Sequence, residues 1–410
     1  MEQFFNSPLT LMRLTDGPFA PYLASLAKQL IEQGYDLKSA RMHIQVLSEF
    51  GRWLKRKQIT VREINTEHTK MFLQYRARRK CLGKSDAAAL RNFLNLLRRE
   101  GIIAEELLSV PTLAERYTEE FVHYLQRERG LSSQTITTYR GIVIRFLANH
   151  FSGSSMDLSS LSAADVIDFV QQQAIILRSQ SARPVITALR SYLRFAQNQG
   201  YILIDLAAAV PIVASWSMAS IPKSLPPDQV ELVLSSCNNQ TVMGRRDYAI
   251  LLLLARLGLR AGEIVSLRLE DIDWQAGQIT VHGKSGHRPN LPIPIDVGEA
   301  LAAYLRDGRP VTTSRAVFLR DTAPIRGFKG AGTVSSLVKR SLARAGIDTP
   351  RKGAHQFRHS LATELLRQGA SLSEIGELLG HCHPDTTAIY AKVDLVGLRT
   401  LALPWPGGAQ

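Results

Sequence analysis

The chain has 410 residues, more than one ordinary core fills, and about 150 residues per domain points to two or three domains. Hydrophobic residues at 45% and charged residues at 21% exclude a disordered chain. Lys plus Arg number 50 against 36 Asp plus Glu, and the resulting +14 points to a polyanionic partner, nucleic acid ahead of a membrane surface. Cys81, Cys237 and Cys382 are odd in number and far apart, which excludes a disulfide framework and makes a reducing, cytoplasmic setting the expectation. The N-terminus lacks the basic-then-apolar layout of a signal peptide. The longest apolar run, Ala249 to Ala255, is only seven residues and cannot span a bilayer.

The first 205 residues contain a repeat. GYDLKSARMHIQVLSEFGRWL from Gly34 lies against GLSSQTITTYRGIVIRFLANH from Gly130 at an offset of 96, matching Phe50 to Phe146. At an offset of 99, Ala89-Leu90-Arg91-Asn92-Phe93-Leu94 meets Ala188-Leu189-Arg190-Ser191-Tyr192-Leu193. Between these anchors, Ile64-Asn65-Thr66 and Leu161-Ser162-Ala163 each open a helix carrying Phe72 or Phe169. Chance likeness of amphipathic helices is the bland explanation. Matching order over several elements favours a duplicated helical domain, since the period is too long for a solenoid unit. Apolar residues at spacings of three and four (Ile142, Phe146, Leu147; Leu90, Phe93, Leu94, Leu97) read as helices with one buried stripe. The first copy carries two basic clusters, Arg52-Lys55-Arg56-Lys57 and Arg76-Arg78-Arg79-Lys80, which are either solvated helix faces or phosphate contacts.

From Ala207 to Asp228, four prolines and no apolar period indicate a linker, with Pro226-Pro227-Asp228 opening the next helix. Gln229 to Leu257 reads as one helix stopped by Gly258. Ile272–Trp274, Gln278–Val281 and Asn290–Ile295 read as a three-stranded antiparallel sheet, and the chain beyond Val297 as helices with glycine or proline breaks. The expected domains are therefore a helical unit at 1–110, a second at 111–206, a linker at 207–223 and a C-terminal domain at 224–410. The fold class is mainly α with a small antiparallel sheet.

Four stretches could carry chemistry. In LGLRAGEIVSLRLEDIDW, Arg260 follows Gly258 among apolar residues and needs an anion, either a ligand or Glu263 three residues on. Lys284, in the turn His282-Gly283-Lys284-Ser285-Gly286-His287-Arg288, is an ordinary turn residue or a proton donor reaching into a cleft. In GAHQFRHSLATELLRQG, His355 and Arg358 are three apart and share a helix face, a pair suited to a phosphate but common on solvated surfaces. In LLGHCHPDTTAIYAKV, His381 follows a glycine stop, and Asp385-Thr386-Thr387 caps a short helix carrying Tyr390. His381-Cys382-His383 invites a metal reading, but adjacent donors diverge and no second Cys/His pair lies at finger spacing, so no metal and no cofactor are expected.

The order GLRAGEIVSL, GKSGHRPNLPIP, GAHQFRHSLAT, LLGHCHPDTTAIYA resembles the catalytic domain of the tyrosine site-specific recombinases, the phage-integrase family, from about Ser224 to Val393. The resemblance implies a helical DNA-clamping domain before the linker, matched by residues 113–205, and leaves the copy at roughly 18–105 as a departure. It assigns Arg260, Lys284, His355, Arg358, His381 and the nucleophile Tyr390 to catalysis, with Glu263 in support. The implied chemistry is metal-independent exchange of DNA strands through a 3′-phosphotyrosine, by an enzyme of the mobile-element or transposon kind. Lys284 would protonate the leaving oxygen and His355 would accept the tyrosine proton. Candidate DNA contacts are Arg52, Lys55, Arg56, Arg76, Arg78 and Arg79 in the first copy, Thr135, Tyr139, Arg140 and Arg145 in the second, and Arg288. Double-stranded DNA is the expected partner, bound by a homotetramer or a mixed tetramer with related recombinases on paired sites. The alternatives are a type IB topoisomerase and a non-catalytic DNA-binding protein on the same fold. The tail leucines Leu395, Leu398, Leu401 and Leu403 would dock on a neighbour or pack on their own domain.

Overall fold

The computed structural model describes residues 17–83, 85–104, 112–151, 157–176, 179–211, 224–283, 288–350, 352–381, 383–393 and 398. It is mainly helical with one three-stranded antiparallel sheet, as expected. The chain forms two compact units, one from residues 104–219 and the other joining residues 1–103 with 220–410. No helix among the described residues is long and apolar enough to cross a membrane.

The same order of elements occurs twice before the linker. α1 (Ala20–Glu32), α2 (Leu37–Arg56), a 3-10 turn (Val61–Glu63), α3 (Thr66–Ala77) and α4 (Asp86–Arg99) form the first copy. α5 (Leu113–Arg127), α6 (Ser133–His150), a 3-10 turn (Leu158–Ser160), α7 (Ala163–Ile176) and α8 (Ser179–Asn198) form the second. Helix starts are set by side-chain caps. Asp36 accepts from the Ser39 N–H at 2.6 Å, Asn65 from the His68 N–H at 3.0 Å, and Ser132 from the Thr135 N–H at 3.3 Å. Each copy then buries matching aromatics, Phe50 against Phe72 with ring centres 5.0 Å apart and Phe146 against Phe169 at 5.2 Å. The second core also takes in Ala207 and Val210, whose carbonyl accepts from Arg190, so the packed chain runs into the segment read as linker.

Beyond the linker, the stretch Gln229–Leu257 is two helices rather than one. α9 (Pro227–Ser235) stops before Asn238, and Thr241 caps α10 (Val242–Arg256) by accepting from the Gly244 N–H at 3.0 Å. Polar residues Asn238 to Thr241 favour a turn bonded to itself over helix continuation, a local competition that apolar periodicity does not register. Next come α11 (Ala261–Ser266) and strands β1 (Ile272–Asp273), β2 (Gln278–Thr280) and β3 (Asn290–Pro292). Ile279 pairs with both Ile272 and Leu291 and is fully buried, which fixes the register. α12 (Ile295–Asp307), α13 (Ala331–Arg344), α14 (His355–Arg367), α15 (Leu372–Leu378), α16 (Pro384–Thr387) and a 3-10 helix at Ala388–Val393 complete the fold. The buried apolar run Ala249 to Ala255 fills the second half of α10, which packs against α12 and α14 and so holds the start of α14 against the core.

Arg76 is the polar keystone of the first copy. It bonds Asp86 at 2.9 Å and also pairs with Glu49, linking α2, α3 and α4. Asp86 is 3% exposed, so removing its partner strands a charge. Arg76→Met is expected to destabilise the first copy by about 3–5 kcal/mol, read as faster amide hydrogen exchange in α2 to α4, whereas exposed Arg52→Gln costs within about 0.5 kcal/mol. Equal, small effects of both changes would show that the ion pair is not structural.

Candidate active site

Three separated stretches of sequence converge because helix ends meet there, and the two flanks of the β2–β3 turn line the same cavity. α10 stops at Gly258, whose φ of +61° suits glycine, and a Cβ there would fall 2.8 Å from the Leu379 side chain. That close approach brings the chain before His381 against the end of α10. Arg358, 3% exposed on α14, fills the junction and donates to the carbonyls of Gly258, at 2.7 Å, and Leu379. Burial, reinforced by the charge of Arg260, pulls its guanidinium down to about 10, so it stays charged at neutral pH.

Arg260 sits at the start of α11. Its backbone N–H and its guanidinium both donate to the Glu263 carboxylate, each at 2.7 Å, so the ion pair weighed from the sequence is present. It does not consume the arginine. Arg260, Glu263, Arg358 and His381 line one cavity of about 350 Å³ together with Gly283 and Pro289. Those two residues flank the turn that carries Lys284, which itself lies outside the described residues.

His381 follows Gly380, whose φ is +59°, and its Nδ1 lies 2.7 Å from the Thr387 hydroxyl. Burial and then the charges of Arg358 and Arg260 lower its pKa to about 4, so the ring is neutral across the physiological range. Cys382 lies outside the described residues, and those described contain no cluster of three metal-ligating side chains.

Tyr390 is 2% exposed and packs with Ala362, Ile375 and Leu379. Burial pushes its phenol above the usual value, against the pull of Arg358 and Arg260. Its hydroxyl lies 3.0 Å from Nδ1 of His359, a residue that the sequence reading left without a role. The signal was available: His359 is four residues after His355, one helical turn on. Ring centres follow one another, His355 to His359 at 5.1 Å and His359 to Tyr390 at 5.6 Å. The expected shared face of His355 and Arg358 resolves into different depths, since His355 is exposed at the first turn of α14 while Arg358 points into the core.

The outlying DNA candidates divide by what they already bind. Arg76 is held in its buried ion pairs and Arg140 donates twice to Glu119, at 2.9 and 2.8 Å. Thr135 lies 2.9 Å from the Ser132 hydroxyl within the α6 cap, and Tyr139 packs on the second core. Arg52, Lys55, Arg56, Arg78, Arg79, Arg145 and Arg288 are exposed.

Comparison with known proteins agrees with this geometry. Residues 223–395 match the Phage integrase family, and residues 118–200 match the Phage integrase N-terminal SAM-like domain. The chain is 52% identical over its whole length to the whole of the integrase/recombinase y4rA of Sinorhizobium fredii. It is 32% identical to the tyrosine recombinase XerD of Listeria monocytogenes over 68% of this chain and 95% of that protein. The fold resembles a XerH site-specific recombinase in a post-cleavage complex with its difH substrate (TM-score 0.55, 20% identity, covering 69% of this chain and 83% of that one). It also resembles a lambda integrase tetramer bound to a Holliday junction (TM-score 0.52, 18% identity, 75% and 88% covered). With two arginines, a histidine and a buried tyrosine gathered at the matched segment, the chain belongs to the phage-integrase family of tyrosine recombinases.

Proposed function

We propose that the protein cuts and rejoins duplex DNA by transesterification. Tyr390 attacks a phosphodiester, forming a 3′-phosphotyrosine and releasing the 5′-oxygen as a hydroxyl, so the bond energy is kept for rejoining. The observation that carries this reading is the placement of Arg260 and Arg358 on one cavity, within electrostatic reach of a buried tyrosine whose hydroxyl is held by a histidine. A phosphodiester in that cavity meets two guanidinium groups whose orientation is already set by Glu263 and by two backbone carbonyls. Their positive charge supports the non-bridging oxygens as negative charge builds in the transition state.

Proton movements follow from reach. His359 takes the Tyr390 proton, and His355 stands behind it. Lys284 gives a proton to the departing 5′-oxygen, a role supported by the position of Gly283 and Pro289 on the cavity. His381, neutral, hydrogen-bonds a phosphate oxygen through its ring N–H. Tyr390 is not among the residues lining the cavity, so the Ala388–Val393 segment turns to deliver the hydroxyl. Exchange between two duplexes takes four such nucleophiles, and we infer a tetramer, of this chain or mixed with related recombinases, working on DNA in the cytoplasm. Residues 113–205, with Arg145 exposed on α6, bind duplex DNA, and Arg288 beside the hairpin adds a phosphate contact.

On a nicked substrate that traps the intermediate, Tyr390→Phe is expected to abolish the covalent adduct with DNA affinity nearly unchanged. His359→Gln is expected to slow cleavage by about 10²–10⁴-fold. A loss of that size in His355→Gln, with His359→Gln close to the parent, would transfer the role to His355.

Lys284→Ala is expected to be badly impaired on ordinary DNA and largely rescued by a 5′-bridging sulfur, because a thiolate leaves without a proton. Arg260→Ala stays impaired on both substrates. Cleavage persists in excess EDTA; a requirement for added divalent ion would overturn the assignment of charge stabilisation to the arginines.

A further inference from the structure

The first helical copy carries a concavity of about 660 Å³ where the C-terminal ends of α2 and α3 meet. Arg52, Lys55, Arg56, Arg79 and Lys80 surround Tyr75 there. Arg56 donates to the Tyr75 hydroxyl at 3.0 Å, and the guanidinium carbons of Arg56 and Arg79 lie 5.4 and 4.8 Å from its ring centre. Tyr75 thus fixes two cations at the mouth of one depression. The acid at its wall, Glu49, is bonded to Arg76 and shared with Lys80, and Asp86 is bonded to Arg76 as well. Among the described residues, Arg52, Lys55, Arg56 and Arg79 have no carboxylate partner.

The fold does not require this charge. Counting from Phe50 to Phe146, an offset of 96, Arg52 and Lys55 correspond to Ala148 and Phe151 of the second copy. Counting from Phe72 to Phe169, an offset of 97, Tyr75 and Arg79 correspond to Gln172 and Ile176. The same helices therefore form without a single one of these cations, and Ile176 is 74% exposed in the corresponding place. Four crowded, unneutralised positive charges repel one another in the free protein, and an external polyanion removes that cost.

We propose that this concavity is a second DNA-binding site, which grips the phosphate backbone of duplex outside the segment that is cut. The inference rests on the proposed function for the identity of the polyanion. Arg52, Lys55, Arg56 and Arg79 make the phosphate contacts, Tyr75 orients the two arginines, and Arg76 is excluded because its bonds are internal. The contacts go to phosphates and carry no base-sequence information by themselves.

The test uses full-length protein. Arg52→Gln/Lys55→Gln/Arg79→Gln is compared with a control that removes the same three charges elsewhere on the first copy, Lys28→Gln/Lys38→Gln/Arg62→Gln. On a long duplex containing the cut site, the first variant is expected to lower the log–log salt slope of binding by about two to three units, at roughly 0.9 per lost phosphate contact, and to shorten the footprint. The control keeps both. On a short nicked duplex confined to the cut site, both variants and the parent form the covalent adduct equally, so failure of that adduct in the parent would sink the proposed function separately. An unchanged slope and footprint in the first variant would overturn the second site. The same result with lost pairing of two DNA molecules would assign the concavity to a protein partner instead. Should the triple variant misfold, Lys55→Gln and Arg79→Gln alone, each at an exposed position, are each expected to lower the slope by about 0.9.

Discussion

Arg358 cannot be buried without acceptors, and the two it finds are backbone carbonyls from opposite ends of the catalytic sequence, Gly258 and Leu379. This single side chain therefore ties the end of α10, the start of α14 and the chain leading to His381 into one place. Its charge has consequences in every direction. Burial lowers the pKa of His381 and the Arg358 charge lowers it further, while at Tyr390 burial raises the phenol and Arg358 opposes that rise. A phosphate entering the cavity supplies the anion that the carbonyls only partly replace. The architecture holds a cation at the cost of desolvation, and in the proposed reaction a phosphodiester recovers that cost selectively as negative charge builds on its oxygens.

Much of this was legible in the residues because the motifs are short and sit at helix ends or, for Lys284, in the turn between two strands. Gly258 and Gly380 announce where helices stop and Pro384 where the next one starts, and the proposed catalytic side chains Arg260, His381 and Tyr390 follow within a few residues. The sheet was legible for a similar reason, with β-type runs between glycine turns. What escaped the sequence depended on three-dimensional competition. The break between α9 and α10 arises from Asn238 to Thr241 bonding among themselves, against an apolar period that continues on both sides. The place of His359 depends on how deeply Tyr390 is packed, and Ala362, Ile375 and Leu379 set that depth from two other helices. Lys284, Cys382 and the tail residues Leu395, Leu401 and Leu403 fall outside the described residues.

The two helical copies show how far a shared fold leaves surface chemistry free. Their cores match aromatic for aromatic, Phe50 with Phe146 and Phe72 with Phe169, because burial permits few alternatives at those positions. At matched positions near the ends of the second and third helices the two differ in kind, with Arg52, Lys55 and Arg79 in one and Ala148, Phe151 and Ile176 in the other. Solvent-facing positions on α2 and α3 tolerate either, so their composition reflects what the surface meets. Arg76 marks the boundary between the two regimes, a charged residue within the basic cluster that belongs to the core through Asp86.

The central claim is that one tyrosine hydroxyl, supported by arginines, becomes bonded to the 3′ side of the cut. The most direct measurement is to trap the covalent complex on a nicked duplex labelled separately at each end, digest it with protease, and map the attached peptide by mass spectrometry. The account predicts a single phosphorylated residue, Tyr390, joined to the 3′ phosphate, with a free 5′-hydroxyl on the other fragment. Attachment through another residue, or a 5′-phosphate link to protein, would contradict it.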